Sequence, residues 1–67
     1  MTRMIEGKEA SGLVQGDVII ASNGEHRTVD VTCHMNEGFF VTYFGGGNDR
    51  FEPSDLIDFP FPQEARW

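Results

Sequence analysis

The chain has 67 residues, 39% of them hydrophobic, and eleven acidic against five basic side chains give it a net charge of −6. That length holds one domain, and the charge argues against direct binding to nucleic acid, which needs clustered Lys or Arg facing phosphate. Cys33 is the single cysteine, so no internal disulfide can staple a core that at this size supplies only about 3–5 kcal/mol.

Residues 1–12 are polar, contain Gly7 and Gly12, and show no clean period. They read as a flexible N-terminal arm in which Met4 and Ile5 can add a short strand or cover one end of the core. The arm has no apolar run of signal-peptide length, and 18–21, the longest aliphatic run, falls far short of the ~20 residues a membrane span needs. With the lone thiol, these features point to a reducing cytoplasm.

From Gly16 to Phe59 apolar or β-branched runs recur about every ten residues between turn signals, the spacing of a small antiparallel barrel or sandwich. Gly16-Asp17 turns into a first strand at 18–21. Asn23-Gly24 then predicts a hairpin with a type I′ turn. The second strand, 26–35, alternates: Val29, Val31 and Cys33 fall on one face, Thr28, Asp30, Thr32 and His34 on the other. Cys33 thereby reads as a small buried hydrophobe.

After Asn36-Glu37-Gly38, the strand 39–44 is apolar on both faces. Phe39, Val41 and Tyr43 are placed inward, leaving Phe40, Thr42 and Phe44 outward. The Gly45-Gly46-Gly47-Asn48 turn leads to a short strand at 49–52 with Phe51 inward, ended by Pro53, which cannot donate to a ladder. A single 3₁₀ turn at 53–56 precedes a closing strand at 57–59. Pro60 and Pro62 then favour an extended path through the tail, 60–67. The expected core is Val18, Ile20, Val29, Val31, Val41, Tyr43, Phe51, Leu56 and Ile57.

The series Leu13, Gly16-Asp17-Val18-Ile19, Asn23-Gly24, Val29, Gly38, Val41, Tyr43, Phe51, Pro53 and Asp55-Leu56 resembles the small SH3-like β-barrel proteins of bacteria and their phages. The resemblance covers residues 13–59 and implies an all-β, five-stranded antiparallel SH3-like barrel, with the arm at 1–12 and the Pro/aromatic tail at 60–67 outside it. It is nearly silent on function, because the fold hosts many roles.

Motifs for chemistry are weak. His26 and His34 lie about 26 Å apart along an extended strand, and Cys33 and His34 point to opposite faces, so neither a metal site nor a Cys–His pair is expected. The triple glycine lacks the Lys-Ser/Thr of a phosphate loop. Asp49, Glu52, Asp55 and Asp58 read as a solvated acidic surface without the cleft a carboxylate pair needs. No catalytic residue, metal or cofactor is expected, and the chain does not read as an enzyme.

Six Phe, one Tyr and one Trp exceed what one small core can house. Phe40, Phe44, Phe61 and Trp67 have no obvious interior place: either the Pro-rich tail folds back over the outer face of 39–44 as a second small core, or they form an exposed patch, such residues being enriched at interface hot spots. The expected function is therefore an adaptor or inhibitor that binds a protein, or itself, through this aromatic patch. The alternative is an acidic mimic of nucleic acid occupying the basic cleft of a DNA- or RNA-handling enzyme.

Overall fold

The computed structural model describes residues 3–65, in which six strands account for nearly all regular structure. They are β1 (Met4–Glu9), β2 (Val18–Ile20), β3 (His26–Met35), β4 (Gly38–Tyr43), β5 (Asn48–Phe51) and β6 (Leu56–Glu64), with one 3₁₀ turn at Ala10–Gly12. The chain is all-β and antiparallel: β2-β3-β4-β5 form one sheet, β1 pairs with β6 in another, and the whole curls into a half-barrel.

Met4 and Ile5 open a strand, one of the two roles expected for them, and it runs on to Glu9. One expectation is corrected by β6: the closing strand does not stop at Phe59 but extends through residue 60 to Glu64. Met4 and Ile5 pair with Glu64 and Gln63, and Gly7, Lys8 and Glu9 with Asp58, Ile57 and Leu56. The ladder skips 59–62, the stretch holding Pro60 and Pro62, so neither proline is asked for an amide hydrogen. Gly7 sits where the strands approach closely; a Cβ there would lie 2.7 Å from the Ile57 carbonyl oxygen.

Asn23-Gly24 does form a hairpin, but not with a type I′ turn. Among the described residues only glycines have positive φ, so Asn23 does not adopt the left-handed conformation that such a turn requires. The Gly24 N–H donates to the Ala21 carbonyl (2.9 Å) and the Ala21 N–H to that of Glu25 (2.8 Å). This is a three-residue loop closed by Gly24 at φ +86°. The expected single turn after β5 is present, closed by the Asp55 N–H on the Glu52 carbonyl at 2.9 Å.

The core gathers Ala10, Leu13, Ile19, Ala21, Val29, Phe39, Val41, Tyr43, Ile57 and Phe59, with Ile5 and Phe51 half-buried against it. Val29, Val41, Tyr43 and Ile57 were expected there. Ile20, Val31 and Leu56 were also expected inside but are exposed, and Val18 is half-buried. Within β2 the inward residue is Ile19, because Val18 and Ile20 share the opposite face.

Val31 is displaced by a β-bulge. Val29 is paired with Tyr43 and Val31 with Thr42, so Asp30 has no partner of its own across the strand. One extra residue moves every following side chain to the other face. Val31, Cys33 and Met35 therefore point out, while Thr32 and His34 lie opposite Val41 and Phe39. Cys33 is exposed, not a buried hydrophobe. Val31→Asp is accordingly expected to shift stability by no more than about 0.5 kcal/mol, whereas Val29→Asp, at a fully buried position, unfolds the chain. Thermal melting of the two variants checks this assignment of faces.

Candidate functional site

The bulge assembles a surface absent from the plain alternation of the sequence. Residues paired across antiparallel strands share a face, so Cys33 stands beside Phe40, and Val31 beside Thr42. Phe40 is flanked on its other side by Arg50. Val31 is 56% and Met35 49% exposed, Cys33 is exposed and Phe40 half-buried. This outer face of β3 and β4 is thus a contiguous apolar strip edged by one guanidinium, which donates from Nη1 to the Glu37 carbonyl at 2.6 Å.

Of the aromatic residues expected to form a patch, Phe40 lies at the centre of this strip. Phe44 is 50% exposed in the turn after β4, its N–H donating to the Thr28 carbonyl at 3.0 Å. Phe61 is half-exposed on β6, which packs against β1 and β2, and no ring contact joins it to Phe40 or Phe44 among the described residues. Trp67 lies outside the described residues. Val31, Cys33 and Met35 are the members that alternation alone conceals.

The four carboxylates of the expected acidic surface sit in different settings. Glu52 and Asp58 are exposed, on the turn after β5 and on β6. Asp55 accepts the Glu52 N–H at 2.9 Å and so caps its own turn. Asp49 is half-buried and belongs to a polar network.

That network lines a cleft of about 150 Å³ between the β2–β3 and β4–β5 loops. Asp49 Oδ2 accepts from the Tyr43 hydroxyl at 2.7 Å and from the Ser22 N–H at 3.2 Å, and Oδ1 accepts from the Ser22 hydroxyl. The Arg27 guanidinium stands 5.6 Å from the Tyr43 ring centroid and donates to the Gly46 carbonyl. Burial pulls the Asp49 carboxyl upward, but the Ser22 and Tyr43 hydroxyls, the Ser22 N–H and the Arg27 charge outweigh it and hold it below its ordinary value. Tyr43 moves the other way: burial first, then the bond to Asp49 and its charge, raise the phenol, against a smaller opposing effect of Arg27.

An acid weakened as a base, bonded to a serine without a histidine, does little to activate a nucleophile. What the network does is tie two loops together. Asp49's contribution to stability is present above the unfolded carboxyl value of about 3.9 and is lost as pH falls through its lower folded value. Tyr43's contribution is complete below the unfolded phenol value of about 10 and is lost as pH rises toward its higher folded value. Tyr43→Phe removes one donor from Asp49, so acid unfolding is expected to begin at higher pH and the alkaline loss due to this phenol to vanish; melting temperature against pH reads both.

Among the described residues no group of His, Cys, Asp and Glu could hold a metal ion, and no helix is long and apolar enough to cross a membrane. The fold and outer face together define a small all-β protein with an exposed apolar sheet surface. No family model matches the chain, and neither a curated protein nor a solved structure matches it.

Proposed function

We propose that this chain is a small SH3-like barrel of the bacterial or phage kind that works in the cytoplasm as a non-enzymatic adaptor or inhibitor. It binds a protein partner through the outer face of β3 and β4. The observation that carries this reading is the strip around Phe40: Val31, Cys33 and Met35 stand exposed beside it, in a chain whose net charge of −6 otherwise favours a polar surface. A half-buried aromatic with exposed apolar side chains on one side and an arginine on the other is the composition of an interface centre. The order of strands and turns supports the barrel, and Phe44 extends the surface toward the β4–β5 loop.

The test is retention of partners on immobilised wild-type chain and on Phe40→Ala/Phe44→Ala, with melting temperature measured on both. A protein held by the first and lost by the second, with the variant folded and binding little affected by salt, is the expected result. Equal retention by both overturns the aromatic reading. Release by moderate salt would instead favour an acidic mimic of nucleic acid, since screening acts within about 10 Å at 0.1 M. That alternative draws less support from the structure, because Asp49, Asp55 and Asp17 are engaged in internal bonds.

A further inference from the structure

The β3–β4 hairpin carries an open backbone edge. β2 pairs with β3 only from His26 to Thr28, and Val29 is held by the Asp17 carbonyl and the Gly16 N–H at 2.8 and 2.9 Å. Beyond it, residues 31–35 pair with β4 on one side. On the other side no backbone hydrogen bond joins them to another segment among the described residues. An unpaired edge is a template for another strand, and proteins guard such edges with charges, prolines or brevity.

The other strands with an open edge carry those guards. β1 has Glu6, Lys8 and Glu9; β5 has Asp49 and Arg50; β6 has Asp58, Glu64 and two prolines. β2 is three residues long, and both backbone groups of Val18 are taken by the Gln63 side chain. The run Val31-Thr32-Cys33-His34-Met35 has no carboxylate, Lys, Arg or proline.

We propose that this edge pairs antiparallel with the same edge of a second copy of the chain. The sequence is self-complementary in that register. Overlaying the run on its reversed copy sets Cys33 opposite Cys33, Thr32 opposite His34 and Val31 opposite Met35. Asp30 then meets Asn36, and the pairing ends there because the Gly16-Asp17 backbone already holds Val29, so no like charges face each other within it even though each copy carries −6. The two-fold contact is closed and stops at two copies. It also joins the outer faces: one row runs Arg50, Phe40, Cys33 and then Cys33, Phe40, Arg50 of the second copy. With strands about 4.8 Å apart, the two Phe40 positions lie about 14 Å from each other. The pairing thus deepens the proposed protein-binding surface by doubling it, while standing on its own observation, the uncharged edge.

Disulfide trapping tests it on the full chain. Facing Cα atoms in an antiparallel pair are about 4.5–5.5 Å apart, inside the range of about 4.4–6.8 Å that a disulfide spans. Diamide removes two protons and two electrons from the thiol pair and is reduced to the hydrazine. Wild type is expected to give a covalent dimer and, without oxidant, a solution mass rising with concentration toward twice 7.5 kDa.

Cys33→Ser/Met35→Cys moves the thiol to another exposed site two residues along. There the facing thiols are about 14 Å apart, and little dimer is expected. Adding Val31→Cys to that variant restores trapping. Cys33→Lys sets two ammonium groups opposite each other, so the mass is expected to stay monomeric while the melting temperature holds. Equal trapping at positions 33 and 35, a wild-type mass that never rises, or growth beyond two copies would overturn the pairing. Phe40→Ala/Phe44→Ala leaves this edge untouched, so trapping and partner retention fail independently.

Discussion

Asp17→Ala is expected to leave the chain largely unfolded at room temperature. The Lys8 ammonium and Asp17 Oδ2 lie 2.8 Å apart, with side chains only 7% and 1% exposed. The same oxygen accepts the Val14 N–H at 3.0 Å. Removing one member of a buried pair takes the counter-charge from the other where solvent is scarce, at about 3–5 kcal/mol. A core of this size supplies about as much in total.

Lys8→Met should be nearly as damaging, because it takes the counter-charge from a carboxylate that stays buried. The double variant Lys8→Met/Asp17→Asn removes both charges and keeps an amide oxygen for Val14. It is expected to recover much of the loss, since replacing both members of a buried pair is often close to neutral. Melting curves for the two single variants and the double variant form a cycle; a double variant less stable than either single would show that the pair is not the unit involved.

Gln63→Leu is expected to cost about 2–6 kcal/mol and to loosen the joint between the two sheets first. No ladder connects β2 to β6; the Gln63 side chain does so. Its Oε1 accepts the Val18 N–H at 2.9 Å and its Nε2 donates to the Val18 carbonyl at 2.5 Å, as a strand's own peptide would. Leucine matches the volume but takes the partner from both backbone groups of half-buried Val18, each at about 1–3 kcal/mol. Gln63→Glu keeps the acceptor, loses the donor and places a charge where the side chain is buried. Hydrogen exchange should show early loss of protection at Val18 and in β6, with β3 and β4 still protected; uniform loss across all strands would show that Gln63 does not bear the joint.

Much of the all-β architecture was legible in the chain because its cues are local. Strand β3 runs from His26 to Met35 as the alternation predicts, and the hairpin loops fall on Asn23-Gly24 and on the triple glycine. Phe39, Val41 and Tyr43 are buried as the two apolar faces of β4 implied. Phe40's outward position was readable in the same way. The rest of its surroundings was not, because the bulge at Asp30 leaves no mark in the hydrophobic pattern; both phases of β3 remain plausible strands.

Prolines misled the reading at the other end. Pro60 and Pro62 argue against a ladder at their own positions, and the ladder does skip them, but it resumes at Gln63 and Glu64. By itself, then, the sequence determined the class of structure, the positions of β2 to β5 and of the turns between them, the acidic charge and an excess of aromatic side chains. Each of these follows from properties of neighbouring residues.

Only the tertiary structure decided which face of β3 points outward, that residues 4–9 and 56–64 pair, that Lys8 meets Asp17, and that Gln63 bridges to Val18. Each of these joins groups 9 to 60 positions apart, or turns on one unpaired residue. Such contacts form only when the closing of a long loop is offset by burial and by satisfied polar groups, a balance that no local pattern encodes.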